Sequence, residues 1–336
     1  MKSSNIGGQA VLEGIMMRNG GKYAVAVRKP DGEIEVKEDE YTSVIKWKKL
    51  TRIPFVRGVF NFVDSLVLGL KTLNYSASFY MEETDVVITI EEAEKQKKKE
   101  DILMAVTMVF SVVIALGLFM VLPGFVADLL KNVMPSRILR TVLESILRIS
   151  IFVIYIVLVS KMEEIKRTFM YHGAEHKCIN CIEHGLELNV ENVKASSRLH
   201  KRCGPSFLLI VMVVSVLVTM FVRIETVWLR VLSRIILLPV IAGVSYEVLK
   251  LAGRSESPII TAISKPGLMM QKLTTREPDE QMIEVAIQSV EAVFDWRAFV
   301  SEESDSIACK SAADGVVGDS VGNDRTCADE AKDSEV

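Results

Sequence analysis

Four long apolar runs limit what this 336-residue chain can fold into. They cover residues 102–122, 142–159, 207–222 and 229–249. A helix needs about 20 residues, with a range of roughly 17 to 25, to cross the hydrocarbon core of a bilayer. The first and fourth runs have this length, and the other two reach it with their flanks. We therefore interpret the chain as a mainly α-helical polytopic membrane protein with about four transmembrane helices within residues 101–250.

Basic residues are distributed unevenly among the segments that flank these runs. Short cytoplasmic loops carry an excess of lysine and arginine. The segments rich in them precede the first run, separate the second from the third, and follow the fourth. This pattern predicts that both termini and loop 161–204 are cytoplasmic in a protein of the plasma membrane. The N-terminus lacks the apolar core of a secretory signal, and cysteines facing the cytosol are expected to stay reduced.

Charged side chains within apolar runs can mark transport pathways, and two pairs in this chain need an explanation. Glu144 and Arg148 lie four residues apart, as do Arg230 and Arg234, near the predicted outer ends of their helices. Pairing along the helix and snorkelling to the interface account for both pairs. No chain of acidic residues in the middle of a run accompanies them, so a transporter is the less favoured class.

The first 50 residues predict a small cytosolic element that contains a β-hairpin. The segments G-G-K-Y-A-V-A-V-R and E-I-E-V-K predict two strands, and P-D-G between them is a turn sequence. The preceding segment, G-G-Q-A-V-L-E-G-I-M-M-R, places Glu13 among apolar residues. A lone carboxylate in such a setting is either exposed in a turn or held by a partner. Glu13 is therefore a candidate functional residue.

The other regions outside the apolar runs differ in composition. Residues 51–100 predict a membrane-associated helix followed by a charged connector. Residues 251–300 predict a cytosolic loop and an amphipathic helix that begins near Pro278. Residues 301–336 are rich in acidic and small residues with almost nothing to bury, which predicts a disordered acidic tail.

All four histidines of the chain lie between His172 and His200, and three of the five cysteines lie in or beside the same stretch. Within it, His172-x-x-Glu175-His176 has the form of the inverted zinc motif H-x-x-E-H. On a helix this motif places two imidazoles one turn apart on one face, with a carboxylate beside them that can act as a base. The segment therefore predicts a site for a divalent metal, with zinc as the expected ion.

Two histidines alone do not complete a metal site, so at least one further ligand must come from elsewhere in the chain. The candidates for a third ligand are His200, Cys203, Glu247 and Glu13. Three protein ligands and an open position are typical of catalytic zinc. In such a site Glu175 is the predicted general base, and Glu13 is a second candidate catalytic carboxylate.

A different set of residues in the same segment predicts a structural site. Eighteen residues separate Cys178-x-x-Cys181 from His200-x-x-Cys203, which is the spacing of a Cys3His zinc site. This interpretation requires a helix that ends near His176 and makes the protein a non-catalytic scaffold or sensor. In a third interpretation no metal is bound, and the histidines and cysteines have ordinary packing and hydrogen-bonding roles.

Several long motifs occur in order along the chain. They are G-G-Q-A-V-L-E-G-I-M-M-R, Y-H-G-A-E-H-K, H-K-R-C-G-P-S-F, S-Y-E and Q-K-L-T-T-R-E-P-D. In these motifs the chain resembles the YqhQ-like proteins, a family of bacterial membrane proteins with a domain of unknown function that are sometimes labelled predicted metal-dependent enzymes. The resemblance covers nearly everything except the acidic tail.

The resemblance implies which residues stand at the family's motif positions. They are Glu13, His172, Glu175, His176, His200, Cys203 and Glu247. Cys178 stands where the usual family pattern has threonine, which weighs against a zinc site that requires this cysteine. Pro205 also stands where that pattern has threonine.

The favoured function is metal-assisted hydrolysis at the cytosolic membrane surface. His172 and His176 are the expected ligands, and Glu175 is the expected general base. The expected partners are the lipid bilayer and a membrane peptide or lipid-derived substrate, and no nucleic acid.

Overall fold

The computed structural model describes residues 3–43, 53–80, 90–200, 203–222, 224, 226–252 and 257–302. The strands are β1 (Gly7–Val11), β2 (Gly14–Asn19), β3 (Lys22–Arg28) and β4 (Ile34–Glu40). The helices are α1 (Val56–Ser78), α2 (Ile90–Leu116), α3 (Leu122–Leu129), α4 (Arg137–Val159), α5 (Glu163–Glu183), α6 (Val190–Ala195), α7 (Gly204–Phe221), α8 (Val227–Ala252), α9 (Pro258–Thr274) and α10 (Glu280–Glu291). The fold is thus mainly helical, as predicted. Nearly all of the predicted acidic tail lies outside the described residues.

The N-terminal sheet has four strands, two more than predicted. All pair antiparallel in the order β1-β2-β3-β4, and the predicted hairpin is confirmed as β3 and β4. Leu12 and Glu13 connect β1 to β2, with Glu13 at a φ of 47°. Non-glycine residues seldom adopt this left-handed conformation, so the residue types gave no turn signal for the first hairpin. The next residue, Gly14, has to be a glycine, because a Cβ there would lie 2.3 Å from the carbonyl oxygen of Ala26.

Three helices in the described residues, rather than four, are long and apolar enough to cross a membrane. They are Ile102–Asn132, Ile138–Val159 and Leu229–Ala252. The run predicted as the third span forms α7, whose apolar part, Phe207–Phe221, is shorter than a typical span.

The first apolar helix is longer than predicted. A π-helical turn, Gly117–Val121, joins α2 to α3 without a break. Pro123 lies in the first turn of α3, and the wider π turn precedes it where the proline ring would conflict with a regular α-helix. At the other end, the predicted charged connector is helical and forms the start of α2.

The second apolar helix does not continue through the histidine motif, which lies on a separate helix. Instead α4 ends at Val159, and α5 begins at Glu163. Arg276 donates a hydrogen bond to the carbonyl of Ser160 at 3.0 Å. In a continuous helix the carbonyl of Ser160 would accept a hydrogen bond from the N–H one turn later. Here it accepts one from Arg276 instead.

The sheet, α5 and α10 pack together into the core that supports the histidine segment. As predicted, α10 begins close to Pro278, and Asp279 caps it by accepting a hydrogen bond from the N–H of Met282 at 2.8 Å. Ile283 of α10 and Met17 of β2 are fully buried in the same cluster as residues of α5. The N-terminal sheet and α10 thus hold α5 in place.

Candidate metal centre

His172 and His176 lie one turn apart on α5 and face the segment that leads into α7. Their ring centroids are 4.4 Å apart. Cys203 is the residue immediately before α7, and its Sγ lies 3.1 Å from Nε2 of His172. One potential ligand atom from each of the three residues lies within 4.8 Å of the others. The three side chains therefore form a group that could hold a metal ion.

Backbone carbonyls fix the tautomer of both histidines. Nδ1 of His172 lies 2.9 Å from the carbonyl oxygen of Thr274, and Nδ1 of His176 lies 2.7 Å from that of Arg198. Since a carbonyl oxygen can only accept, each Nδ1 carries the proton, and each Nε2 presents a lone pair. Metal-binding histidines usually donate their second ring N–H in this way.

Burial favours the neutral form of both imidazoles. It lowers the pKa of His172, and it lowers the pKa of His176 well below the usual value, with His172 as a second cause. The neutral imidazole is the form that binds a metal. Cys203 is also buried and immediately precedes α7.

Glu175 lies on α5 with its carboxyl group against the sheet. A Cβ at Gly8 would come within 2.9 Å of the Glu175 side chain, so only glycine leaves room for it. The backbone of Gly8 forms a hydrogen bond with the carboxyl group, but Oε2 has no partner in the described part of the chain. Burial raises the pKa of Glu175 to about 8. Glu175 does not belong to the group formed by His172, His176 and Cys203.

Glu175→Gln is expected to stabilise the protein increasingly as the pH rises. The pKa of Glu175 is about 8 in the folded chain, against 4.5 for an ordinary glutamate. Between these values the native state binds more protons than the unfolded state, so wild-type stability falls with rising pH. One pKa unit corresponds to about 1.4 kcal/mol, so the advantage of the variant should grow by a few kcal/mol across this range.

Thermal unfolding in detergent and chelator, followed at a series of pH values, measures this difference. Glu164→Gln, on the exposed start of α5, is the matched control. An advantage of Glu175→Gln that does not change with pH would contradict the prediction.

His200 lies beside the histidine–cysteine group but contacts Glu183. Its ring centroid is 5.9 Å from that of His176, and its Nε2 is 3.3 Å from Oε2 of Glu183. The other oxygen of Glu183 accepts hydrogen bonds from the N–H and hydroxyl of Ser4 at 2.8 and 2.9 Å. The Gln271 side chain accepts from the N–H of His200 and donates to its carbonyl, at 2.9 and 2.6 Å. These contacts hold the segment that precedes Cys203.

The two remaining acidic candidates are each bound by an arginine. Arg57 donates to Glu247 at 2.7 and 2.5 Å, which joins α1 to α8. Arg167 donates to Glu13 at 2.5 Å through both Nε and Nη2, which joins the β1–β2 turn to α5. Neither carboxylate belongs to the histidine–cysteine group. Of the four candidates for a third ligand, the structure brings Cys203 to the two histidines.

The closed Cys3His site is not formed among the described residues. Cys178 packs in the core of the sheet, α5 and α10, and Cys181 donates to the carbonyl of Glu187 at 3.4 Å. The helix continues past His176 to Glu183 instead of ending. Burial raises the pKa of the Cys178 thiol well above its usual value and that of Cys181 to about 11. Both thiols therefore stay protonated, and neither belongs to the group that could hold a metal ion.

The residues that orient the two histidines were not predicted from the sequence. The carbonyls of Thr274 and Arg198 are backbone atoms, whose role is not visible in the residue type. Gln271 and Thr274 do lie in the motif Q-K-L-T-T-R-E-P-D, so the motif itself was the available signal.

Comparison with known proteins places this site within a family. Residues 53–296 match the family described as "Protein of unknown function (DUF1385)", and this match covers more than half of the chain. The chain belongs to this family. A relative from Bacillus subtilis (strain 168), "Uncharacterized protein YqhQ", is 37% identical over 286 residues, which are 84% of this chain and 90% of the relative. No solved structure matches the chain. The resemblance to the YqhQ-like proteins is confirmed.

Proposed function

We propose that this DUF1385 protein is a membrane protein that carries out metal-assisted hydrolysis at the cytosolic end of its helix bundle. The observation that carries the proposal is the pair of histidines with Nδ1 bound to carbonyls and Nε2 directed toward Cys203. Three protein ligands are the number found in catalytic zinc sites, which keep one position open. Imidazole and thiolate ligands both suit zinc.

The neighbouring residues suit the roles that hydrolysis requires. His172, His176 and Cys203 would hold a zinc ion, which supplies Lewis acidity toward a carbonyl or phosphoryl oxygen. Glu175, which directly precedes His176, would transfer the proton once its carboxyl group turns from Gly8 toward the histidine–cysteine group. A carboxyl group with a pKa of about 8 can both accept and return a proton near neutral pH. Glu13, bound to Arg167, would position α5.

We also propose that α7 crosses the membrane as a fourth span. The sheet, α5 and α10 pack on one another, so three parts of the chain meet at one end of the bundle. An even number of crossings must therefore separate them. Between the sheet and α5, the helix formed by α2 and α3 makes one crossing and α4 makes the second. Between α5 and α10, α8 makes one crossing, so α7 must make the other. The 18 residues of α7 extend about 27 Å, close to the roughly 30 Å of a hydrocarbon core.

This topology predicts which segments are accessible from outside the cell. With both termini in the cytosol, the α3–α4 turn should face outward and α6 inward. A cysteine at the exposed position Val133 should react with a membrane-impermeant maleimide in intact cells. A cysteine at the exposed position Glu191 should react only after the cells are permeabilised. The reverse pattern, measured as labelling above that of the wild type, would contradict the proposed orientation.

The place of the site favours substrates of the bilayer. Cys203 directly precedes α7, so the histidine–cysteine group lies where a proposed span leaves the membrane. A membrane peptide or a lipid-derived molecule reaches this position without leaving the bilayer surface. The expected substrates are therefore peptide or ester groups of membrane components.

The test uses the purified full chain, loaded with zinc and incubated with membrane lipid extract or membrane peptides. We expect product release that a chelator abolishes. Glu175→Gln should keep its zinc but lose about 10²–10⁴-fold in rate, the usual contribution of a general acid–base group. Glu164→Gln should behave as wild type. Turnover that survives the chelator would contradict the metal-dependent reaction.

The 3.1 Å contact between Sγ of Cys203 and Nε2 of His172 favours a second candidate, a cysteine nucleophile with a histidine base. In this reaction the carbonyl of Thr274 orients the imidazole, as a third group does in catalytic triads. No metal is needed. If the protein binds no zinc and loses turnover when Cys203 is alkylated, the cysteine nucleophile is the correct candidate.

A further inference from the structure

A polar cavity of about 540 Å³ lies between the ends of α3, α4, α7 and α8. Thr219 and Val222, at the C-terminal end of α7, line it. Cys203 precedes the opposite end of the same helix, so the two sites are separated by about 24 Å of helix. The cavity is therefore distinct from the candidate metal centre.

Basic side chains outnumber acidic ones in this cavity. Among the described residues that line it, the charged ones are Lys131, Arg140, Arg230, Arg234, Asp128 and Glu144. Four are basic and two are acidic, which leaves two positive charges in excess.

Both carboxylates are already bound to arginines. Asp128 pairs with Arg230 at 3.0 Å. Glu144 pairs with Arg148 at 2.9 Å and also with Arg234. The side chains of Glu144 and Arg234 are only 10% and 7% exposed. The excess positive charge therefore has no further carboxylate to neutralise it in the described lining.

Several guanidinium N–H groups also lack an acceptor. Among the residues that the structure describes, the buried Nε atoms of Arg140, Arg148 and Arg234 have no hydrogen-bond partner. A charged group is costly to bury in a membrane protein unless it is paired, and an unmade hydrogen bond adds to the cost. Arg140 and Arg234 line the cavity, so an anion inside it would supply the missing charge and acceptors.

We propose that this cavity binds the phosphate group of an anionic ligand, with Arg140 and Arg234 as its main donors. Phosphate offers several acceptor oxygens to the planar guanidinium groups and carries the compensating charge. A phospholipid headgroup and free inorganic phosphate share this chemistry. The exposed apolar side chains of Leu129 and Ile138, next to the lining residues, give acyl chains a surface to lie on, which favours the lipid.

Native mass spectrometry of the detergent-purified full chain tests the proposal, with phosphatidylglycerol as the anionic probe and phosphatidylcholine as the zwitterionic one. Wild type should retain phosphatidylglycerol preferentially. Arg140→Gln should weaken its binding about tenfold, the effect of one charge-assisted hydrogen bond. Lys161→Gln, an exposed charge just after the opposite end of α4, should leave binding unchanged. Equal retention of both lipids, or equal effects of the two variants, would overturn the proposal.

A second set of measurements separates the two sources of phosphate. Millimolar inorganic phosphate that displaces the lipid and stabilises the wild type against heat, but not Arg140→Gln, would support a free anion as ligand. Lipid retention that phosphate does not disturb would support the headgroup. Lys131→Gln, an exposed lining residue, repeats the test if Arg140→Gln does not fold. No loss of anionic lipid in this variant would then contradict the site.

Discussion

Gly173→Ala is expected to destabilise the protein by about 3 kcal/mol, although alanine is the better helix former by about 1 kcal/mol. A Cβ at position 173 would lie 2.0 Å from the carbonyl oxygen of Arg276. That carbonyl cannot move freely, because the N–H of Arg276 donates to the carbonyl of Phe169 at 2.8 Å. The strand-like segment after α9 thus lies directly on α5, and only glycine permits the approach.

The same substitution should also weaken metal binding. Thr274, two residues before Arg276, holds Nδ1 of His172 through its carbonyl oxygen. A displaced segment would release this hydrogen bond, and losing such a supporting contact typically costs about 10–100-fold in metal affinity. Thermal unfolding and zinc titration of the purified variant measure both effects.

Gly117→Ala is the matched control, because a Cβ at Gly117 would meet nothing within 4 Å. It should be neutral or slightly stabilising. If Gly173→Ala matched this control in stability and zinc affinity, the close packing of α5 against the segment after α9 would be disproved.

His176→Ala is expected to abolish stabilisation of the protein by zinc. A ligand that binds only the folded state stabilises it by about 2.7 kcal/mol when its free concentration is 100 times the dissociation constant. Removing a direct ligand should reduce affinity by more than the 10–100-fold that follows from losing a supporting contact. The zinc-induced shift in melting temperature, measured relative to the same protein in chelator, should therefore disappear.

His184→Ala is the control for this experiment. His184 is an exposed histidine at the end of α5, and its Nδ1 lies 2.6 Å from the local carbonyl oxygen of Asn180. It should keep the full response to zinc. An equal loss in both variants would mean that zinc acts on general histidine content rather than on the site.

Local sequence pattern was sufficient for the elements whose residues interact with near neighbours. The apolar runs, the hairpin of β3 and β4, and the start of α10 near Pro278 all follow from spacing and turn chemistry. The first hairpin did not, because Glu13 takes a left-handed conformation that residue type does not indicate. The separation of α4 from α5 involves a contact that local pattern cannot indicate either, since Arg276 binds Ser160 from a distant part of the chain.

The sequence placed His172 and His176 together but could not choose their third partner. Glu247 and Glu13 carry suitable carboxylates, and only the fold shows that Arg57 and Arg167 bind them. These ion pairs join residues more than 150 positions apart. Cys203 is brought to His172 by the packing of the segment before α7, a contact that no local periodicity encodes.

Metal content is the most direct test of a metal centre at His172, His176 and Cys203. Elemental mass spectrometry on the detergent-purified wild type, His176→Ala and Cys181→Ser gives the ratio of zinc to protein for each. We expect near-stoichiometric zinc in wild type and Cys181→Ser, and its loss in His176→Ala. Zinc lost with Cys181→Ser but retained by His176→Ala, or a wild type that binds none after zinc or manganese is supplied, would contradict a metal centre at His172, His176 and Cys203.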